Sequence, residues 1–390
     1  MDFINLKTQY HTLKPEIDQA IKTVLASGQF ILGQEVVQFE KEIAQYLNTK
    51  YAIGVASGTD ALLLSLMALG IKQDDEVITT PFSFIASANI ISRIGATPVF
   101  VDINPQNFNL DLEQVKIKIT KKTKAIIPVH LFGQMADIAA IMTLAKKYNL
   151  AVIEDACQAI GAEGASLRVP PHPATFIKSA GCGGRSNLVK KAGTFGNCGC
   201  FSFFPTKNLG AYGDGGLVTT NQKGLAEKIR ILRAHGAKKQ YLHRVLGFNS
   251  RLDEIQAAIL NVKLKNLDLW NQQRIAHAHY YSQHLQNIKQ LIVPPAISDL
   301  SHIFHQYTIR AQKRNQLKQF LEKNKIPTMI YYPIALHLQP MFKYLNYRRN
   351  DFPQAEKASR EVLSLPIYPE LTQKDQDFII KKIKQFYGLR

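Results

Sequence analysis

Short apolar segments alternate with helical segments over residues 51–220, and this alternation constrains the fold more than any other feature of the sequence. Strand-like runs occur at residues 51–56, 76–80, 98–102, 125–130 and 151–155, and the segments between them have helical character, as at 111–119 and 136–148. Strands that alternate with helices pair in parallel through right-handed crossovers, which predicts an α/β fold. In such sheets the functional site lies beyond the carboxyl ends of the strands.

The character of the sequence changes in its C-terminal part. A pair of helices predicted at about 251–288 is followed by Pro294-Pro295, a strand at 307–310, and helices near 314–324 and 373–387. This order is typical of a smaller α+β domain. We therefore predict two domains, 1–248 and 249–390.

One segment interrupts the alternation. Residues 164–199 contain no Asp or Glu, three prolines and many glycines and serines, which predicts a long loop. We interpret residues 164–192 as an insertion in the large domain. Two interpretations stay open: a surface insertion without a role, or a basic loop whose Arg168, Lys178 or Arg185 meets an anionic substrate.

The composition limits the classes of function. The formal net charge is +18, but the basic residues are scattered and form no stripe with interleaved aromatics, which argues against a nucleic-acid-binding protein. A solvated basic surface or an anionic substrate explains the charge. The four cysteines lack zinc-ligand spacing, so no metal site is predicted. Without an apolar run of 18 residues or a signal sequence, the expected location is the cytoplasm.

Three short motifs carry chemistry. Ser57-Gly58-Thr59 lies between a strand and a helix, where exposed N–H groups attract phosphate, although the same residues also form an ordinary helix cap. Asp155 ends an apolar strand and either pairs with a buried cation or caps a helix. Lys207 is a single lysine in an apolar, glycine-rich stretch, where a low dielectric favours the neutral, nucleophilic amine.

Together the three motifs match what pyridoxal 5′-phosphate (PLP) requires of a protein. The cofactor needs a phosphate cradle, a carboxylate at its ring nitrogen and a reactive lysine. The sequence therefore predicts a PLP enzyme, in which pyridoxamine phosphate (PMP) occurs as an intermediate form.

A resemblance to a known family rests on longer motifs in a fixed order. They are SGTDAL, PFSFIASA, VFVDINPQNFNLD, PVHLFGQMADI, IEDACQAIGA, FSFFPTKNLGAYGDGG, LGFNSRLDEIQAAIL and SLPIYPEL. From about residue 3 to 385 the chain resembles the DegT/StrS sugar aminotransferases, which are PLP enzymes of fold type I, the aspartate aminotransferase fold. The resemblance implies a large PLP domain with a mixed, mostly parallel sheet between helices.

The resemblance implies roles for residues around the cofactor ring. Lys207 matches the lysine that holds PLP as a Schiff base, and Asp155 matches the carboxylate at the pyridine nitrogen. Gln158 matches the residue near the ring hydroxyl. Phe84 matches the aromatic side chain that stacks on the ring, with packing in the core as the alternative.

The resemblance also implies phosphate-binding residues. Gly58, Thr59 and Ser202 match the phosphate binders of the family. Asn249 matches an asparagine that reaches the cofactor phosphate of the other subunit, which implies a homodimer with shared sites. Arg251 shapes the site in this interpretation, with an ion pair to a neighbouring carboxylate as the alternative.

Two departures from the family pattern concern the substrate. The stretch between Asp155 and Lys207 is longer than is usual in the family, and Tyr331-Tyr332-Pro333 replaces the His-Tyr-Pro of many relatives. Tyr332 and His337, in this altered segment, are the remaining candidates for substrate contact.

The activity implied by the resemblance is transfer of an amino group from glutamate to a nucleotide-linked keto-sugar, for surface polysaccharide or modified-sugar biosynthesis. The N-terminal INLKTQY and the form GFNSRLDEIQAAIL favour reaction at C3 of a UDP-linked 3-keto-hexuronate or a dTDP-linked 3-keto-6-deoxyhexose. One alternative is a sugar dehydratase of the same family, which has His where this chain has Lys207. The other is a DNA-associated regulator without enzymatic activity.

Overall fold

The helices and strands are taken from a computed structural model that describes residues 2–165, 189–239, 241–295 and 301–389. Its α-helices are α1 (Leu6–Thr12), α2 (Lys14–Ser27), α3 (Gln34–Leu47), α4 (Gly58–Ala68), α5 (Ala86–Arg93), α6 (Leu112–Lys118), α7 (Ile138–Tyr148), α8 (Lys223–Arg233), α9 (Glu254–Leu264), α10 (Leu267–Leu285), α11 (Arg314–Lys323), α12 (Pro353–Glu361) and α13 (Gln373–Phe386). Its strands are β1 (Tyr51–Val55), β2 (Glu76–Thr79), β3 (Thr97–Phe100), β4 (Thr123–Ile126), β5 (Ala151–Asp155), β6 (Glu163–Ala165), β7 (Val189–Lys191), β8 (Cys198–Ser202), β9 (Gly216–Thr220), β10 (Ala237–Lys239), β11 (Leu242–His243), β12 (Leu291–Ile292), β13 (Tyr307–Ala311) and β14 (Val362–Leu365).

A seven-stranded sheet organises the large part of the molecule. Its strand order is β1-β9-β8-β5-β4-β2-β3, and only β9 runs against its neighbours. The six other strands therefore end at the same edge of the sheet. This arrangement confirms the predicted mixed, mostly parallel sheet.

Helices cover both faces of this sheet because its strands are apolar on both sides. On one face Ile53, Ile153 and Val218 pack in a cluster with α4, α5 and α8. On the other face Val152 and Leu217 pack with residues of α3, α7 and α9. Strands buried on both faces are characteristic of sheets in α/β proteins.

The C-terminal part contains a second, antiparallel sheet in the order β12-β13-β14. Residues from α10, α11 and α13 form a separate apolar cluster on it. Helix α9, however, packs its Ala257 and Leu260 into the core of the large sheet. The domain boundary at 248/249 stays a prediction.

Part of the segment predicted as a loop is a strand. Cys198–Ser202 forms β8 in the centre of the large sheet. The composition concealed it because Gly199 lies in the strand, where a Cβ atom would come within 2.0 Å of the Gly193 carbonyl oxygen. A glycine in a strand allows another backbone to approach this closely.

The insertion is described only at its ends. Glu163–Ala165 and Val189–Lys191 pair as antiparallel strands, so the prediction of a loop is wrong at these two ends. Residues 166–188, with Arg168, Lys178 and Arg185, lie outside the described residues. The predicted strand at 125–130 is shorter, since β4 ends at Ile126.

Candidate active site

The predicted site residues follow strands that end at the same edge of the large sheet. Gly58 comes three residues after β1, while Asp155 and Ser202 are the last residues of β5 and β8. Phe84 lies in the loop after β2. The fold therefore brings together motifs that lie up to 150 residues apart, as expected for the carboxyl ends of parallel strands.

The Asp155 carboxylate is buried, at 6% exposure, and held in one orientation. Its Oδ2 accepts a hydrogen bond from Ser87 Oγ at 2.7 Å, and its Oδ1 accepts one from the Cys157 amide at 3.3 Å. Ser87 in turn lies 3.0 Å from Ser83 Oγ. The sequence prediction missed Ser87, although the four-residue spacing of the two serines in PFSFIASA was a signal that both face one side of a turn.

The neighbouring carboxylate, Glu154, points away and has a structural role. It accepts hydrogen bonds from the amides of Gly193, Phe195 and Gly196 at 2.7–2.9 Å. His130 Nδ1 accepts from the Ala136 amide, so its Nε2 carries the proton and donates to Glu154 at 3.0 Å. Adjacent strand residues face opposite sides of a sheet, which separates the functions of Glu154 and Asp155.

Lys207 lies in a turn after β8, where its amide donates to the Phe204 carbonyl at 2.8 Å. Burial lowers the pKa of the Lys207 amine below its ordinary value, while the neighbouring Cys157 and Asp155 side chains act in the opposite direction. A lysine with a lowered pKa is neutral, and hence nucleophilic, in a larger fraction of molecules.

The N-terminus of α4 forms a cradle for an anion. Ser57 caps the helix by accepting a hydrogen bond from the Asp60 amide at 3.1 Å. A Cβ atom on Gly58 would lie 2.7 Å from Cys157 Sγ and 2.8 Å from Ser202 Cβ, so only glycine fits there. Free N–H groups and the helix dipole favour a phosphate at this position, beside the partly exposed Thr59 and Ser202.

Gln158 and two aromatic residues form a further wall. The Gln158 side chain donates to the Tyr332 hydroxyl at 3.1 Å and accepts from the Phe132 amide at 2.7 Å. Burial raises the pKa of Tyr332. The Phe84 ring is 53% exposed and its centroid lies 6.5 Å from that of Tyr332, so core packing does not account for Phe84.

Among the described residues, no hydrogen bond, ion pair or ring contact joins three of the predicted residues to this group. Asn249 is exposed and pairs through its backbone with Ala234. Arg251 is partly buried, and none of the ion pairs between described residues involves it. His337 is buried, lies 3.2 Å from Glu356 Oε1 and contacts the Phe352 ring, so none of these contacts reaches Lys207.

Other kinds of site find no support in the described part of the chain. Among those residues, no cluster of His, Cys, Asp and Glu side chains could hold a metal ion. No helix formed by them is long and apolar enough to cross a bilayer.

Comparison with known proteins gives a family and individual relatives. The model of the DegT/DnrJ/EryC1/StrS aminotransferase family matches residues 11–384. A protein of Geobacillus stearothermophilus named pleiotropic regulatory protein is 50% identical over 386 residues, which is 98% of either chain. The UDP-N-acetyl-3-dehydro-alpha-D-glucosamine 3-aminotransferase of Acidithiobacillus ferrooxidans is 42% identical over 370 residues, 95% of this chain and 93% of that protein.

Solved structures of aminotransferases have the same fold. The structure of S. venezuelae DesV in complex with a ketimine intermediate has a TM-score of 0.91 and 38% identity, and the match covers 100% of this chain and 99% of that one. The structure of NtdA from Bacillus subtilis with bound PMP has a TM-score of 0.84 and 33% identity, and the match covers 96% and 82% of the two chains.

Proposed function

Since the chain belongs to the DegT/DnrJ/EryC1/StrS aminotransferase family, we propose that it transfers an amino group from glutamate to C3 of a nucleotide-linked keto-sugar. The chain is a sugar aminotransferase and its cofactor is PLP. The observation that carries the proposal is the convergence of Lys207, Asp155 and the N-terminus of α4 at one edge of the sheet.

The names of the relatives support reaction at C3. Those that act on 3-oxo or 3-amino sugars include transaminases for UDP-linked and dTDP-linked substrates. The net charge of +18 suits either diphosphate, so charge does not choose between the two nucleotides. We propose a UDP-linked 3-keto-hexuronate or a dTDP-linked 3-keto-6-deoxyhexose.

The described residues fit PLP. The glycine at position 58 leaves room for a phosphate at the N-terminus of α4, with Thr59 and Ser202 beside it. The buried Asp155 would hold the ring nitrogen, and Gln158 would lie near the ring hydroxyl. The exposed face of Phe84 would stack on the ring.

Each residue then has a chemical role. PLP supplies an electron sink for the negative charge that remains on the substrate carbon after its C–H bond breaks. Asp155, oriented by Ser87, favours a proton on the ring nitrogen because an opposite charge stabilises the charged form. Lys207 Nζ moves the proton at the substrate carbon, and its lowered pKa suits it to act as a base.

We also propose a homodimer in which Asn249 reaches the cofactor phosphate of the partner. Asn249 is exposed in the single chain and its backbone pairs with Ala234, so these contacts give it no role beside Lys207 or Asp155. Arg251 and Tyr332 are proposed to contact the substrate. His337 is proposed to support the substrate side only indirectly, because its buried ring faces Glu356.

The alternatives make different predictions. A dehydratase of this family has His at the position of Lys207, and this chain has the lysine. A regulator, the activity in the name of the Geobacillus relative, would bind DNA with strong dependence on salt. Binding to promoter DNA that persists in Lys207→Ala would support this second function.

The deciding experiment is product analysis. The purified holoprotein is incubated with glutamate and a panel of UDP- and dTDP-linked 3-keto and 4-keto sugars, and amino sugars are identified by mass spectrometry and NMR. We expect a 3-amino product from one nucleotide series and none with Lys207→Ala. A product aminated only at C4 would contradict the proposed position, and a dehydrated product would contradict transamination.

A further inference from the structure

A chain of buried hydrogen bonds begins at the residue after Lys207. Asn208 Nδ2 donates to Asn271 Oδ1 at 2.7 Å, and Asn208 Oδ1 lies 3.1 Å from His305 Nδ1. Asn271 Nδ2 donates to the Ile160 carbonyl at 3.1 Å. The three side chains are each no more than 4% exposed, so water does not replace these bonds.

The chemistry of the groups gives this chain a single direction. The Ile160 carbonyl can only accept, so Asn271 must direct its amide nitrogen there and its oxygen towards Asn208. Asn208 must then donate to Asn271 and accept from His305. The proton of a neutral His305 is therefore on Nδ1, and Nε2 is the unprotonated nitrogen.

The surroundings keep His305 neutral. Burial lowers the pKa of His305 well below its ordinary value, and the positive charges of Lys207 and Arg274 lower it further. The thiol of Cys157 and the carboxylate of Asp155 act on Lys207 itself, where they raise its pKa against the effect of burial.

On the basis of the function proposed above, we infer that Asn208 and His305 are positioning residues for Lys207. Asn208 is fixed on one side by α10, through Asn271, and on the other by the segment before β13, through His305. Because Asn208 adjoins Lys207 in the chain, both contacts restrict the backbone that carries the reactive amine. These hydrogen bonds therefore connect the segment that carries Lys207, after β8, to the C-terminal part of the molecule.

The first test compares substitutions of similar shape that differ in one hydrogen-bond donor. His305→Asn keeps an amide donor at the position of Nδ1, whereas His305→Leu and Asn208→Leu remove the bond. We expect the two Leu variants to lower the rate of the glutamate half-reaction about 10- to 100-fold, since small displacements of a reacting group have effects of this size. The KM for glutamate should stay within about two-fold, as expected when positioning rather than binding is lost.

The conservative variant and a control complete this test. His305→Asn should recover the half-reaction to within about three-fold of the wild type, because the donor is restored. The control is His277, a partly buried histidine that lies between Gln376 and Pro369 and takes no part in the chain of hydrogen bonds. His277→Leu and His277→Asn should not differ in the rate of the glutamate half-reaction. Equal wild-type rates in His305→Leu and His305→Asn would overturn the positioning role.

The second test reads the proton on His305 and does not depend on activity. In wild-type protein labelled with ¹⁵N at histidine, assigned with His305→Asn, we expect a neutral ring with the proton on Nδ1 from pH 6 to 8.5. A proton on Nε2, or a charged ring at pH 7, would overturn the direction of the chain.

Failure of this inference can be separated from failure of the proposed function. A wild-type protein that binds no PLP and aminates no sugar contradicts the proposed function, whatever the NMR result. An active wild type whose rate is unaffected by His305→Leu contradicts only the positioning role.

Discussion

Two regions near the candidate site differ in how their side chains are covered. At the edge of the large sheet, Asp155 is buried and each carboxylate oxygen has a donor from the same chain. The second region is a segment that we call the arm, residues 237–248. In it Tyr241 is 87% exposed and Leu246 is 90% exposed. The polar contacts of Asp155 are supplied within one chain, whereas the arm presents its largest apolar side chains almost fully to water.

The difference indicates what each region requires. Exposed apolar side chains grouped on one segment mark a surface that another protein covers. Asn249 follows this arm directly, and it is the residue that we propose reaches the site of a partner subunit. We therefore interpret the sheet edge as the part of the site that one chain supplies, and the arm as the part that it gives to a second copy.

The largest expected effect comes from removing the reactive amine at the edge of the large sheet. Lys207→Ala should remove turnover and the cofactor link that borohydride reduces, because it removes the amine to which we propose the cofactor is joined. Absorbance spectra and mass spectrometry of reduced, digested protein provide the measurement. Lys228→Ala is the control: it removes a lysine on α8 that donates to the Ala68 carbonyl of α4, and it should leave both unchanged. PLP trapped on another lysine of the wild type would contradict the assignment.

The next effect tests the charge at the same edge. Asp155→Asn should still bind PLP but lower kcat about 100-fold or more, because a neutral amide no longer favours a proton on the ring nitrogen. Ser87→Ala, which removes only the donor to Asp155, should lower kcat about ten-fold, the equivalent of one hydrogen bond to a charged group. The comparison uses single-turnover rates of wild type and both variants, each fully loaded with PLP. Near wild-type rates in Asp155→Asn would exclude the proposed role of Asp155 at the ring nitrogen.

A mixing experiment tests the arm. Lys207→Ala and Asn249→Ala chains, each inactive alone, should regain activity when their subunits exchange, because one site of each mixed dimer has both residues. Random pairing gives about a quarter of the wild-type activity. Mass spectrometry of intact dimers verifies the exchange. Verified exchange without activity, with Asn249→Ala inactive alone, would show that the arm does not complete a partner's site.

The residues around the sheet edge differ in how far the sequence predicts their positions. Lys207 and Asp155 were predictable because each stands in or after an apolar strand, and a parallel sheet brings such strand ends together. Ser87 and the Asn208–His305 contact were missed, since their partners are 68 and 97 residues away in the chain. Local patterns contain no information about such distant pairs, which packing alone brings into contact.

His337 is a candidate whose surroundings the sequence did not predict. A histidine in a loop near the substrate side was a reasonable candidate for contact with the sugar. Its ring is buried between Glu356 and Phe352, and burial lowers its pKa, as for a histidine of the core. The sequence shows that a histidine is present, but its surroundings depend on α12, which begins 16 residues later.

The smallest expected effect concerns Lys263, whose side chain holds the loop that follows Lys207. Lys263 on α9 is fully buried and donates to the Gly210 carbonyl at 2.7 Å, and burial lowers its pKa to about 7, against the opposing charge of Glu370. Above pH 7 the folded protein therefore holds Lys263 neutral, while the unfolded chain keeps the proton up to its ordinary pKa of 10.5. The free energy of unfolding contributed by Lys263 should rise with pH in this window, by at most about 1.4 kcal/mol per pH unit.

Denaturant unfolding at pH 6.5, 8 and 9.5 should show wild type gaining stability relative to Lys263→Met, whereas the exposed Lys265→Met should show no such trend. A constant difference between wild type and Lys263→Met would mean that Lys263 stays charged in the folded protein.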